Sequence, residues 1–304
     1  MHPIVIIGSG MAAYAVVREF RKLNPEHDLL MICADDGVNY AKPTLSNALT
    51  AKKAPEQIAL GDAAKMSAQL NIRIQTQTWV REIDHNAQQL ILEQAGTRSV
   101  QPYHKLVLAL GAEPIRLNIA GDGQDDIMVV NHLDHYHVFR QQLDARQAKR
   151  IAILGAGLIG CEFANDMQNN GYETTVVDLA PQVLGRLLPT QVATTYQDKL
   201  EASGIRFILN TTVETIEKTE TAYRLTLANG QYLEADAVLS AVGLKPNTDI
   251  AQQAGIDIQR GITTNTELET NIEHIYAVGD CAEVNGHLLP YVMPITQQIG
   301  RAHV

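Results

Sequence analysis

Cysteine is scarce in this chain and never closely paired. Cys33, Cys161 and Cys281 are the three present. No C-x-x-C spacing occurs among them, so a redox dithiol motif is excluded and small buried hydrophobes are the plain reading. An odd, sparse set also suits reduced thiols, and a cytoplasmic location is the expectation. Aromatic residues make up only 5% of the chain, with one tryptophan, Trp79. Long apolar runs are lacking as well: no stretch approaches the roughly 18 residues a membrane span needs. The chain enters a strand at Pro3 without a basic flank or a small-residue cleavage site, so no secretory signal is read there. Positive charge is in deficit, 24 Lys and Arg against 34 Asp and Glu, for a net charge of −10. That balance argues against nucleic acid, whose phosphates require a basic footprint. Lys42, Lys52 and Lys53 lie close in sequence and read more simply as solvated lysines than as a docking patch.

What is present is an ordinary globular composition, 45% hydrophobic and 19% charged over 304 residues, long enough for about two domains. Two segments carry a strand, a glycine turn and a helix. In the first, Ile4-Val5-Ile6-Ile7 leads into Gly8-Ser9-Gly10-Met11-Ala12-Ala13 and an amphipathic run to Leu23. In the second, Ile151-Ala152-Ile153-Leu154 leads into Gly155-Ala156-Gly157-Leu158-Ile159-Gly160 and a run to Asn170. Each continues into a further strand, Leu29–Cys33 and Thr174–Val177, which makes two βαβ units. Further strands are expected at Gln88–Glu93, Tyr103–Leu110, Ile205–Leu209, Tyr223–Leu227 and Ala237–Ala241, and helices around Tyr136–Arg146 and Thr190–Ser203. Asn229-Gly230 between alternating segments signals a hairpin. Gly111-Ala112-Glu113-Pro114 and Gly243-Leu244-Lys245-Pro246 each follow an apolar strand and end in a proline that discourages helix. They read as crossings between domains, with the second unit inserted into the first.

A glycine fingerprint works through the backbone. Its first glycine permits a tight turn, its second lets the main chain approach a diphosphate, and its third lets the helix pack on the strand. The helix N-terminus then offers free N–H groups and a positive dipole end. One match is weak evidence. Here it occurs twice, each time between strand and helix and each time followed by an acid. Asp178 stands 18 residues after Gly160, at the end of Thr174–Val177, where a carboxylate accepts hydrogen bonds from a ribose 2′-OH and repels a 2′-phosphate. NADH is therefore favoured over NADPH, with Arg186 nearby as the one residue that speaks for phosphate. In the first unit Asp35 and Asp36 both follow the strand, and both remain open, Asp35 being nearer its end.

A third signal is Ile275-Tyr276-Ala277-Val278-Gly279-Asp280, an apolar strand ending in Gly-Asp. With two dinucleotide turns upstream, it resembles the flavin ribityl-binding segment of the glutathione-reductase-type flavoproteins. The strands Leu108-Ala109-Leu110-Gly111 and Ser240-Ala241-Val242-Gly243 are similar to those by which that family passes between its domains. Tyr40-Ala41-Lys42-Pro43-Thr44-Leu45-Ser46, Gly157 to Ala164 with Glu162, Gly279 to Val284 and Leu289 to Pro294 resemble, within it, the rubredoxin–NAD reductases of alkane-oxidising bacteria.

The resemblance implies an α/β fold of two Rossmann-like, three-layer ββα domains. The FAD domain is expected at 1–112 and 243–304, with an NAD domain at 113–242 inserted into it. It implies electron flow from NADH through FAD to rubredoxin, feeding an alkane hydroxylase system. It implies that Lys42 and Glu162 pair beside the flavin and frame the nicotinamide pocket, that Asp280 binds the ribityl chain, and that the Val292 amide opens a helix toward the flavin pyrimidine. Val80, Gly111 and Gly243 join the cofactor-lining set with Gly8, Ser9, Gly10, Met11, Ala12, Asp35, Gly155, Gly157, Gly160 and Asp178. Rival readings are a reductase of a ferredoxin or another small carrier, and a non-catalytic sensor that binds FAD and NADH as ligands. No cysteine occupies positions 38–46, where disulfide reductases and NADH peroxidases carry theirs. His132, His135 and His137 lack a usual metal-ligand spacing and read as a surface helix start. Relatives continue into a C-terminal interface domain, and Ile299–Val304 match the translation of a sequencing adapter, so a truncated frame is the expectation.

Overall fold

A computed structural model describes residues 2–301 of the chain. It divides into two compact units. One comprises Met1–Ala41, Ala59–Glu113 and Lys245–Val304, the other Lys42–Ile58 and Pro114–Leu244. The helices are α1 (Met11–Leu23), α2 (Ala63–Leu70), α3 (Leu133–Ala145), α4 (Leu158–Asn169), α5 (Thr190–Ala202), α6 (Asp249–Gln253) and α7 (Val292–Arg301). No helix among the described residues is long and apolar enough to cross a membrane.

The first unit is built on a parallel sheet in the order Ile275–Ala277, Lys105–Leu108, Ile4–Ile7, Leu29–Ile32, Arg73–Gln75. Leu29–Ile32 is buried throughout and Ile4–Ile7 nearly so, as expected of strands covered on both faces. On α1 the buried stripe Ala13, Tyr14 and Val17 recurs at helical spacing. An antiparallel sheet, Trp79–Asp84, Gln89–Gln94 and Thr97–Pro102, sends Ile83, Leu90 and Leu92 into the same core, as α7 does with Ile295 and Ile299. Helix, parallel sheet and antiparallel sheet are the three layers.

The second unit repeats the plan. Its parallel sheet runs Met128–Val129, Ala237–Ser240, Arg150–Leu154, Glu173–Val177, Arg206–Ile208. Its antiparallel sheet is Val213–Lys218, Tyr223–Leu227 and Tyr232–Ala235, and Leu225, Leu227 and Leu233 pack with Ala152, Leu154 and Val238. The turn at Asn229-Gly230 connects an antiparallel pair, with the Gly230 amide donating to Leu227 O and φ +80° at Gly230.

Several boundaries differ from the sequence reading. The strand expected at Tyr103–Leu110 is confined to Lys105–Leu108, and α3 starts at Leu133, with His132 in the cap position. One difference concerns domain membership. Residues 1–112 were expected to share a domain outside the insertion, but Lys42–Ile58 belongs to the second unit. Its backbone is tied to α4 there, where buried Asp166 accepts from the amides of Leu49 and Thr50. Of the final Ile299–Val304 stretch, residues 302–304 lie outside the described residues.

One buried carboxylate in the first unit sets an acid limit on stability. Glu283 is 1% exposed. It accepts from the amides of Arg260 (2.8 Å) and Gly261 (3.1 Å) and from the Arg260 guanidinium (3.0 Å). Burial alone would raise its pKa, but the hydrogen bonds from Arg260 and Gly261 outweigh it and hold the group below the ordinary carboxylate value. A depressed folded-state pKa contributes stability that is present above the unfolded value, about 4.3, and is lost as pH falls through the folded one. Glu283→Gln should therefore cost about 1–3 kcal/mol at pH 7, the loss of charge-assisted hydrogen bonds at a buried site. The difference should shrink as pH falls below the unfolded value and through the lower folded one, where the parent carboxyl protonates too. Urea unfolding of both proteins across that range is the check, and a pH-independent difference contradicts the assignment.

Candidate functional site

The first glycine turn sits at the C-terminal end of Ile4–Ile7. Gly8 has φ +115°, and a Cβ there would fall onto the carbonyl oxygen of Ala109, so both the conformation and the close approach require glycine. Its amide donates to Ile32 O at 2.8 Å. Gly10 is different. It caps α1 in an extended conformation (φ −71°), and a Cβ there would meet nothing within 4 Å. Nothing in the protein's own packing calls for glycine at that position; a ligand lying against the backbone would. No side chain caps α1, and its first turn carries no acid. The amides at Met11 and Ala12 thus open a helix N-terminus suited to a phosphate. Ala13, fully buried, fills the third position of the fingerprint.

Asp35 is directed at this turn. Both its carboxylate oxygens lie 2.7 Å from Ser9 Oγ, and Oδ1 accepts from the Gly37 amide at 3.0 Å. Tyr14, on α1, donates from its hydroxyl to Gly37 O at 2.5 Å, which closes a circuit of turn, helix and acid. Asp36 instead accepts from Val38 N within its own loop. Asp280 reaches the same end of the sheet: Gly279 (φ +83°) lies so near α1 that a Cβ would sit 2.8 Å from Ala12 Cβ. Strand Ile275–Ala277 lies beside Lys105–Leu108, and Val278 N donates to Leu108 O. Val292 opens α7, which packs against α1. Val80 lies in the antiparallel sheet, partly buried against the core and apart from the turn in sequence and layer. Gly111 (φ +67°) accepts from Asn247 N.

The second turn repeats the geometry. Gly155 (φ +108°) presses against Ala241 O, and a Cβ on Gly160 would fall onto Gly155 O, so the third glycine here is a packing requirement. Gly157, like Gly10, has open space where a Cβ would stand; it caps α4 with no side-chain cap and no acid in the first turn. Asp178 accepts from the Ala156 amide, within the turn, and from Ala180 N at 2.7 Å. Gly243 (φ +125°) accepts from Ile115 N at 3.0 Å.

Lys42 starts a 3-10 helix, Lys42–Ser46, and Glu162 lies one turn into α4. The hydrogen bond recorded at Glu162 comes from Ser46 Oγ, 2.6 Å from Oε2. Sequence reasoning quoted Ser46 only as part of a motif and passed over Asp166. The spacing of Glu162 and Asp166, one helical turn apart, was the signal available. The rings of His132 and His135 meet edge to face, 5.1 Å between centroids and 67° between planes, at the start of α3.

Two cradles of this kind, each with its own acid, define a protein that handles two dinucleotides. The chain belongs to the pyridine nucleotide-disulphide oxidoreductase family, whose model matches residues 2–304. It is 64% identical over 300 residues to the rubredoxin-NAD(+) reductase of Acinetobacter baylyi, covering 98% of this chain and 76% of that one. It is 40% identical over 295 residues to the nitric oxide reductase FlRd-NAD(+) reductase of Pectobacterium atrosepticum, covering 97% and 76%. Among solved structures, the ferredoxin reductase for the CYP199A2 system from Rhodopseudomonas palustris superimposes with a TM-score of 0.90 at 28% identity, covering 99% of this chain and 75% of that one.

The glycines separate into two kinds, and apoprotein stability should separate them too. Gly8→Ala and Gly160→Ala force backbone apart and should each cost about 2–4 kcal/mol, from strain and overpacking. Gly10→Ala and Gly157→Ala should leave the apoprotein within about 0.5 kcal/mol of the parent. Thermal unfolding after flavin removal measures this; equal losses in all four would show that the open space at Gly10 and Gly157 is not real.

Proposed function

We propose that this chain is an NADH-dependent flavoprotein reductase that passes electrons from NADH through FAD to rubredoxin, acts in the cytosol and feeds an alkane hydroxylase system. The observation that carries the reading is the pair of open positions at Gly10 and Gly157, each at an uncapped helix N-terminus with an acid tied to its turn. The 64% identity to a rubredoxin-NAD(+) reductase supports the choice of carrier.

The first unit is the FAD-binding domain and the second the NAD-binding domain. FAD, when bound, supplies the chemistry that lets a two-electron donor feed a one-electron acceptor. The remaining work falls to the chain. Gly8, Ser9, Gly10, Met11 and Ala12 present backbone to the FAD diphosphate, and Asp35, oriented by Ser9 and Gly37, takes the adenosine ribose. Asp280 serves the ribityl chain and the Val292 amide the pyrimidine, where a positive helix end favours negative charge. Val80 and Gly111 line the FAD site, and Gly243 joins the nicotinamide site. Gly155, Gly157 and Gly160 hold the NADH diphosphate, and Asp178 takes its ribose 2′-OH. Lys42 and Glu162 pair to frame the nicotinamide, with Ser46 fixing the glutamate. No general acid or base is required for hydride transfer, and none is assigned.

Coenzyme choice follows from Asp178. Its carboxylate is locked by Ala156 and Ala180 amides and meets a 2′-phosphate with like charge. NADH should reduce bound flavin far faster than NADPH. Asp178→Ser with Leu179→Arg should narrow that gap about tenfold, some 1.4 kcal/mol of differential binding. Equal parental rates with the two coenzymes would dismiss the role of this acid.

The carrier is tested by mixing the flavin-loaded protein, NADH and purified rubredoxin and following rubredoxin bleaching. A ferredoxin goes into a parallel cuvette, since the 28% identical neighbour is a ferredoxin reductase. Rapid bleaching with slow ferredoxin reduction is expected; the reverse order would move the assignment to a ferredoxin.

A further inference from the structure

Helix α4 does more than begin at the second glycine turn. Glu162 and Asp166, one turn apart, and Asn170 at the C-cap form a ladder along one side of it. Together the rungs hold the Lys42–Ile58 segment at Ser46, Leu49 and Thr50. Glu162 Oε2 accepts from Ser46 Oγ at 2.6 Å. Asp166 accepts from Leu49 N at 3.1 Å and from Thr50 N at 2.7 Å. Asn170 Nδ2 donates to Thr50 Oγ1 at 3.2 Å and to Asp166 O at 2.7 Å. Asp166 is 1% exposed, so its carboxyl group is removed from water and depends on those two amides for its hydrogen bonds. A buried carboxylate in the middle of a helix is costly and is not a helix-forming choice. Leu49 and Thr50 need acceptors for amides that the turn leaves open, and Asp166 supplies both at one point.

We infer that Asp166 is a positioning residue: through the amides of Leu49 and Thr50 it fixes the segment that begins at Lys42 to the helix that carries Glu162. The three rungs then set Lys42 against α4 as one rigid piece, so both members of the nicotinamide-framing pair move with the NADH-binding unit. Asp166 is buried behind the segment it holds and acts through Leu49 and Thr50. Its effect is on where Lys42 stands when NADH arrives, and a displacement of about 1 Å at a reacting site is enough to cost up to a hundredfold in rate. This inference rests on the reading of the chain as an NADH-to-flavin reductase.

The test uses the flavin-loaded protein in anaerobic stopped flow. Reduction of the parent by NADH checks the underlying reading first; a parent that NADH does not reduce fails that reading and not this one. In Asp166→Ala the limiting rate of flavin reduction should fall about tenfold or more, with flavin content, apparent NADH affinity and dithionite reduction at parental values. Asp166→Asn keeps one acceptor oxygen and should fall between the two, about two- to fourfold below the parent. A role confined to stability would lower the unfolding temperature and flavin content and leave the limiting rate of the loaded fraction unchanged. That result overturns the inference, as does a loss seen wholly in NADH affinity. Should Asp166→Ala not fold, the isosteric Asp166→Asn decides: a limiting rate about two- to fourfold below the parent supports the role, and a parental rate overturns it.

Discussion

In each half of the molecule a carbonyl oxygen occupies the place where a side chain would stand on the first residue of the glycine turn. Ala109 O presses on Gly8, and Ala241 O on Gly155. The approach follows from sheet order. Lys105–Leu108 is hydrogen-bonded beside Ile4–Ile7, and Ala237–Ser240 beside Arg150–Leu154, so the residue that follows each neighbouring strand stands over the turn. Those residues belong to the two stretches at which the chain leaves one unit for the other. Topology and turn are therefore one constraint: a returning strand in any other position would leave the turn unsupported and the helix start free to drift. Everything that points at a dinucleotide, from uncapped amides to tethered acids, is arranged around these two contacts.

The electrostatics follow the same economy. A chain of net charge −10 is asked to hold two dianionic diphosphates. Screening confines the general repulsion to about 8–10 Å, so what matters is the field within the first turn of each helix. Both α1 and α4 are free of acids there, which leaves a favourable contribution of about 0.3–2 kcal/mol from each helix end. The acids Asp35 and Asp178 stand beyond the adjacent strand ends instead. Each is drawn to the residue between the first two glycines, though by different chemistry: Ser9 through its hydroxyl, Ala156 through its amide. A carboxylate held this way keeps a fixed direction relative to its turn.

How much of this was legible in the sequence depended on range. Strand, turn, helix and acid fall within about thirty contiguous residues, and both copies were readable because glycine spacing and apolar runs are local signals. Tyr223–Leu227 was placed to the residue, since Asn229-Gly230 marks its end. The ownership of Lys42–Ile58 was not readable, because it turns on Asp166, more than a hundred residues away, and on amides that carry no side-chain signature. α2 was missed although Asp62 accepts from the Lys65 amide as its cap; eight residues with one buried side chain, Met66, give too weak a period. Between Asp35 and Asp36 the sequence offers only that Asp35 is nearer the strand end. Only the fold brings Ser9 to one of them.

The family takes its name from disulphide chemistry, and the residues of this chain argue that its electrons travel otherwise. Cys33, Cys161 and Cys281 are all free and buried. Burial pushes the Cys161 thiol up to about 12, helped by the negative charges of Asp178 and Glu162, and the Cys281 thiol up to about 11. Cys33 is raised as well, by burial first and then by Asp35. Since the thiolate is the reactive form, a thiol with a pKa near 12 is ionised to only about one part in 10⁵ at pH 7. Cys161 and Cys281 direct their sulfurs to Ala156 O and Val278 O, roles that a small hydrophobe with a weak donor fills. The position where a dithiol would stand after the first unit carries Lys42 and a short helical turn. Two dinucleotide cradles beside three buried, weakly acidic thiols fit a chain that, like the rubredoxin-NAD(+) reductase it resembles at 64% identity, drives electrons from NADH to a small carrier.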